Sequence, residues 1–443
     1  MPQNFPERKQ KHCYEEAAFC RLHRKVIGGG MLGQFSDGYI LGSIGISMSL
    51  ATGALSLDAW WLGLIGAASL VGLMLGSLFM GPVADHIGRK RIFCTTMAVF
   101  TLASVLQFFV TDATELFVLR LILGLALGAD YAVGLTIVSE WTPARLRPRA
   151  LSFLMIMWVG GYVSAYVVGY CLQFIGGDAW RWILLTCAVP SAAAMIVRAG
   201  TPESPSWLIG KGRADEAQAL VDRFIGPGYC LPPQALAAPS AGWSELFSTR
   251  WRKNTIVGGV FFACQVIPYF SLSIFLPQVF KQLGMEDPYT SGIIFNLFLF
   301  LGVLLGTWLI DRISRRLFLT GSFYLCAAAL LTMTVWQGIP TLWALICIST
   351  FSFIISAASV LEFVYPPELF STELRGSGVG FCVACSRIGG AGGTFLLPIV
   401  MENFGTVAAL SGCVAALLLG GVVCQLWAPE TGKKRAGQAA ARA

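Results

Sequence analysis

Runs of roughly twenty apolar residues recur along this chain, and each is long enough to cross a hydrocarbon core of about 30 Å as a helix. Twelve such runs can be drawn, at about 27–50, 60–83, 92–111, 115–138, 150–175 and 180–199, then 255–281, 288–310, 317–336, 340–364, 376–399 and 404–428. Between the sixth and seventh lies a polar stretch, 200–254, with Pro, Gly and several charges. The boundaries read as an N-terminal segment 1–26, a six-helix bundle 27–199, a linker 200–254, a second bundle 255–428 and a tail 429–443. Only 12% of the residues are charged, about half the share that a water-exposed surface carries. The fold class predicted is therefore an all-α membrane protein. The polar Met1 to Lys25 segment has no cleavable signal pattern, so the first span is expected to target the chain.

The basic residues fix an orientation. All but four of the 31 Lys and Arg fall in the N-terminal segment, in the loops after spans 2, 4, 6, 8 and 10, and in the tail. The exceptions are Arg181 and Lys281 in opposite-side loops and Arg120 and Arg387 within spans. Such asymmetry places both termini and the linker in the cytoplasm. A net charge of +7 spread over short loops also argues against a nucleic-acid partner. The thirteen cysteines sit mostly in apolar runs, and Cys382 and Cys385 form a C-x-x-C in a Gly-rich helix where packing explains them better than metal or redox chemistry. No cofactor or metal is expected.

Three motif pairs repeat at nearly one offset. Asp85 in GPVADHIGRKR matches Asp311 in DRISRR at 226 residues, Glu140 in EWTPARLR matches Glu368 in ELFSTELR at 228, and Pro202 in PES matches Pro429 in PET at 227. Two six-helix halves of like orientation put a substrate site at their interface near the midplane. On these motifs the whole chain resembles the major facilitator superfamily. Gly81, Asp85, Gly88, Arg89, Lys90 and Arg91 fit its loop between helices 2 and 3, and Arg120, Gly124 and Gly128 fit the R-x-x-x-G-x-x-x-G of helix 4. PESPSWL at 202–208 and PETG at 429–432 look like sugar-porter signatures, with Ser206 in place of the usual Arg; Ser314 stands where the second-half motif usually has Gly. Helix 10 reads SVLEFVYPPELF and lacks the sugar porters' G-P-x-P-W, while GADYAVG and CSRIGG resemble metabolite:proton symporters of bacteria. The resemblance implies a monomeric secondary transporter in a bacterial inner membrane, with a small solute, protons and lipid as its partners, and no enzyme activity.

Three acids lie inside spans: Asp37, Asp130 and Glu362. Each costs at least ~2.5–3.5 kcal/mol on insertion scales, so a functional or paired residue is the default reading. The histidines, His12, His23 and His86, all lie outside the spans, so a proton relay must use carboxyls, whose neutral form desolvation favours. Asp37 and Arg120 resemble the acid–Arg pair of a proton-coupled xylose porter, and Asp130 resembles the symporters' G-G-D-Y acid. Arg387 is a fixed positive charge that either meets an anionic substrate or pairs with Glu362. Gln265, Tyr269, Asn296 and Tyr131 are the further candidates for solute contact, with Trp158 and Tyr162 as stacking walls. Pro268 can kink helix 7, and Gly389, Gly390, Gly392 and Gly393 permit close packing in helix 11. Gating ion pairs are expected among Asp85, Arg89, Glu140, Arg145 and Arg147, and in the second half among Asp311, Arg315, Glu368 and Arg375. Such pairs could latch one state and release in the other. The function expected is proton-coupled uptake of a small polar metabolite, an organic acid above all; efflux of an amphipathic cation and transport of a neutral sugar-like solute are the alternatives.

Overall fold

The computed structural model describes residues 12–231, 243–285, 287–310, 312–336, 338–371 and 374–431. Asp311 lies outside them, as does the side chain of Arg375. Six long helices form the first half: α1 Arg21–Ala54, α2 Ala59–Ile87, α3 Arg89–Gln107, α4 Ala113–Trp141, α5 Arg147–Leu172 and α6 Ala179–Arg198. Two short helices, Pro205–Gly210 and Ala214–Phe224, follow in the linker. The second half holds α7 Arg252–Ile274, α8 Pro288–Leu309, α9 Arg315–Val335 and α10 Thr341–Ser359, which resumes after Val360 as Leu361–Leu369. Its last two helices run as one stretch, Arg375–Trp427, bent at Gly405, where φ is 81°; they are α11 (375–404) and α12 (406–427). Nine described stretches are long and apolar enough to cross a membrane. The last of them contains two passes, and α1 and α3 bring the passes to twelve.

Local chemistry sets these boundaries. Asp58, Asp112, Asp287 and Ser314 cap the N-termini of α2, α4, α8 and α9 by accepting backbone N–H bonds. Gly88, with φ of 105°, separates α2 from α3 in a conformation few side chains adopt. α2 and α4 meet through glycine: a Cβ on Gly124 would lie 2.4 Å from the Ser69 carbonyl oxygen, and one on Gly128 2.3 Å from that of Leu73. The R-x-x-x-G-x-x-x-G motif is thus a close helix seam. Apart from one two-residue parallel pairing, His12–Cys13 with Tyr229–Cys230, the described architecture is helical.

The two halves touch mainly at the face away from the linker. There the Ser49 and Tyr289 hydroxyls lie 3.2 Å apart, Thr290 donates to the Tyr170 hydroxyl at 3.2 Å, and the Trp60 and Phe395 rings meet edge-on at 5.0 Å. On the linker side the halves part around a space of about 530 Å³ lined by Gln34, Thr136 and Ser139 of one half and Thr307, Ile310 and Arg315 of the other. The conformation is closed at the far face and open toward the linker.

Candidate functional site

A central cavity of about 280 Å³ lies between the halves, and it shares Leu135, Met155 and Phe363 with the space opening toward the linker. Most of its wall is apolar or aromatic: Trp158, Phe262, Tyr269 and Phe270 among others. Trp158 of α5 meets Phe270 of α7 edge-on at 6.5 Å and stacks on Tyr162 at 5.8 Å, forming an aromatic roof toward the far face. Set into this wall are one acid, Glu362, and one base, Arg387, with Tyr131, Ser77 and Ser359. Glu362 stands in the first turn of the helix that resumes after Val360. Among the described residues neither charge forms an ion pair, and Arg387 lies over the Tyr131 ring with its Cζ 5.5 Å from the centroid. A cation and an acid share one small chamber without neutralising each other at contact distance.

Of the sequence candidates, Tyr131, Tyr269, Glu362 and Arg387 come together here. Gln265 and Asn296 are buried beside helix contacts and are not among the lining residues; Asn296 donates to the Gly292 carbonyl at 2.8 Å, and both polar atoms of the Gln265 amide lack partners among the described residues. Asp37, Arg120 and Asp130 lie within the first half, fully buried and off the cavity wall.

The expected Asp37–Arg120 pair does not form. Arg120 Nη2 donates to the Ile40 carbonyl at 3.1 Å, and its Nε and Nη1 have no partner among the described residues. Asp37 is three residues before Ile40, about 4.5 Å lower along α1, and side chains tilt toward a helix N-terminus, which carries the carboxylate further away. Asp37 instead accepts from Gln34 at 3.3 Å, while its other oxygen has no hydrogen-bond partner among the described residues. Gln34 in turn lines the opening toward the linker, so Asp37 is one side chain removed from that space.

Asp130 has a partner that the sequence did not single out. Arg198, the last residue of α6, turns inward and grips Asp130 with both guanidinium ends, one at 2.9 Å. Thr96 adds a hydroxyl to the same carboxylate at 2.9 Å. Arg198 also donates to the carbonyls of Gly29 and Phe93 at 2.9 and 2.8 Å and stacks 3.8 Å from the Phe93 ring centroid. A Cβ on Gly33 would fall 1.5 Å from Arg198 Nη2, so only glycine leaves room for this side chain. At the edge of its span Arg198 reads as a loop charge. The available signal was arithmetic: three membrane acids faced only two bases, and a buried acid requires a counter-charge.

The expected gating pairs are redistributed. Arg89 meets both Asp85, at 3.7 Å, and Glu140. Arg147 pairs not with Glu140 but with Glu15 at 2.9 Å, because Ala144 of the α4–α5 turn is hydrogen-bonded to the Glu15 carbonyl and brings that acid in. Arg145 is exposed and makes no ion pair among the described residues. In the second half Arg315 lies 3.6 Å from Glu368. None of these pairs joins one half to the other. These contacts brace each half, and they are formed while the halves stand apart on that side.

The described residues contain no cluster of His, Cys, Asp and Glu fit to hold a metal ion. The family model described as "Sugar (and other) transporter" matches residues 26–436. Among curated proteins the chain is 40% identical to the inner membrane metabolite transport protein YgcS of Escherichia coli, over 93% of this chain and 92% of that one. It is 27% identical to the niacin transporter NiaP of Acinetobacter baylyi, over 86% and 87%. Among solved structures, the partially occluded inward open xylose transporter XylE of E. coli superposes with a TM-score of 0.78 at 17% identity, covering 92% of this chain and 98% of that chain.

Proposed function

The chain belongs to the sugar (and other) transporter family, a multi-pass membrane transporter of the major facilitator fold, and we propose that it takes up a small organic acid together with protons. In this reading both termini and the linker lie in the cytoplasm of a bacterial cell, and the cavity alternates between the two sides of the inner membrane. The observation that carries the substrate class is Arg387, which makes no ion pair among the described residues, in a largely apolar chamber. A fixed guanidinium between two helix bundles is costly unless an anion meets it. Glu362 is its neighbour in the empty carrier; a substrate carboxylate takes over that role when bound and leaves Glu362 to accept a proton. Arg387 suits a carboxylate because its fork donates two parallel hydrogen bonds. The likeness to a protein named for niacin, itself a carboxylic acid, agrees with this class.

Asp37 is the coupling acid of this proposal, with Gln34 linking it to the space on the linker side. Asp130 is committed to Arg198 and serves as that residue's counter-charge. Tyr131 follows Asp130 on α4 and lies beneath Arg387, which connects the two buried charge groups across the halves.

Proteoliposomes given external nicotinate or xylose as probes test the reading, with and without an inward proton gradient. Gradient-driven accumulation of nicotinate is expected, with uptake of xylose weak. Arg387→Ala should lower nicotinate kcat/KM about 100-fold and Arg387→Lys about tenfold, as loss of a charge-assisted, bidentate contact predicts. Asp37→Asn should leave counterflow exchange intact and abolish accumulation. Normal transport by Arg387→Ala, or robust xylose transport by the unaltered chain, would sink the organic-acid reading. Accumulation by Asp37→Asn would remove Asp37 from coupling.

A further inference from the structure

We propose that the linker face carries a second binding site, a basic cleft that holds a phosphate group. The cleft encloses about 910 Å³ between the α2–α3 turn, the segment 200–208 and the linker helix Ala214–Phe224. His86, Lys90 and Arg91 enter it from the turn, and Arg213 and Arg223 from the linker. Two acids also line it, and one of them is paired with a cation. Glu203 accepts from the backbone N–H groups of Lys90 and Ser204, each at 2.9 Å, and Glu216 takes two hydrogen bonds from Arg213 at 2.6 and 2.5 Å. The side chains of His86, Lys90, Arg91 and Arg223 make no hydrogen bond or ion pair among the described residues. Four cationic side chains and one imidazole thus face one cavity against two carboxylates, which leaves it net positive.

Topology alone explains why basic residues lie on this face, but not why residues from two separate segments face a single space. The molecule contains its own control. By the repeat offset Lys90 corresponds to Arg316, and Arg316 is bonded to the Gln425 carbonyl. Glu430 occupies the position of Glu203 and accepts from the N–H groups of Arg315 and Arg316. In the second half the equivalent cation is thus consumed by the protein, whereas in the first the linker helix converts the same turn into an unfilled pocket. A phosphate fits it by chemistry: it spreads negative charge over several acceptor oxygens, which Lys and Arg from different segments can meet together. A phosphate held there would tie the linker helix to the turn that carries Asp85 and Arg89.

The phosphate can belong to a soluble ligand or to a lipid headgroup, and the test separates them. Inorganic pyrophosphate is titrated into the full-length chain in detergent by calorimetry, and retained lipid is counted by native mass spectrometry from nanodiscs containing phosphatidylglycerol or phosphatidylcholine alone. The variant K90Q/R91Q/R223Q removes the unpaired cations, and R24Q/R149Q/K253Q removes three exposed charges elsewhere. Saturable pyrophosphate binding, weakened at least tenfold in the cleft variant and unchanged in the control, supports a soluble phosphate ligand. No pyrophosphate binding, but selective retention of phosphatidylglycerol that only the cleft variant loses, supports a headgroup. Binding of neither probe, or equal loss in both variants, overturns the proposal.

Discussion

The two halves of this transporter are alike at their linker-side ends and unlike in their interiors. At the ends, four residues form the same network twice. Arg89 meets Glu140, Ser204 donates to Glu140, and Glu203 accepts from the start of α3; Arg315 lies beside Glu368, Thr431 donates to Glu368 at 2.5 Å, and Glu430 accepts from the start of α9. Inside, the correspondence fails. The positions of Asp130 and Arg198 are taken in the second half by Ala358 and Gln425, and those of Glu362 and Arg387 in the first half by Gly134 and Val159. The shared ends serve what both halves must do, which is hold together while they move. The divergent interiors assign the proposed proton chemistry to one half and the proposed anion contact to the other.

This contrast can be broken most sharply at Arg198. Arg198→Ala leaves Asp130 uncompensated in a fully buried site and should destabilise the first half by about 3–5 kcal/mol. Gln425→Ala, at the matching position, should cost under about 1 kcal/mol, as a contact near the surface would. Adding Asp130→Ala to Arg198→Ala should recover part of the loss. Thermal unfolding in detergent measures all three; equal effects at Arg198 and Gln425 would erase the distinction between the interiors.

A smaller effect probes the likeness of the ends. Glu203→Gln and Glu430→Gln each weaken carboxylate bonds to backbone N–H groups, and each should cost about 1–3 kcal/mol. Hydrogen exchange at the first turns of α3 and α9 reports the two losses separately. Fraying at one turn only would show that the networks are similar in geometry and different in weight.

The smallest effect lies at the far face. Asp287 caps α8, and the hydroxyl and N–H of Thr290 hold its carboxyl below the ordinary value of 3.8. A carboxyl depressed on folding stabilises above its unfolded pKa, and that contribution is lost as pH falls through the folded one. Unfolding scans should therefore show Asp287→Asn, which keeps a capping oxygen and loses the charge, less stable than the unaltered chain near neutrality by about 0.3–1 kcal/mol. The two should converge only once the pH has fallen through the folded value, which lies under 3.8; a gap that persists there would assign the effect to something other than the charge.

Much of the architecture was legible because the repeat and the apolar runs are long-range patterns that tertiary context cannot hide. The shared network was visible through Glu140 with Glu368 and Pro202 with Pro429, since each motif occurs twice. Its wiring was not, because the choice of Glu15 for Arg147 depends on where the N-terminal segment lies against the α4–α5 turn. Glu362 and Arg387 could be paired as cavity candidates because charge in a span must face protein or water. Arg198 escaped because a long side chain at a span edge can point either way, and only packing against Gly29, Gly33 and Phe93 turns it inward.

The seam that closes the far face is made of hydroxyls, aromatic rings and glycine, with Tyr166 packed where a side chain on Gly292 would stand. Among the described residues no charged pair spans it, so the work of parting the halves there contains little that dissolved ions can screen. A carrier built this way should open outward at the same rate in dilute water and in brine, leaving its response to the surroundings to the solute and proton it binds.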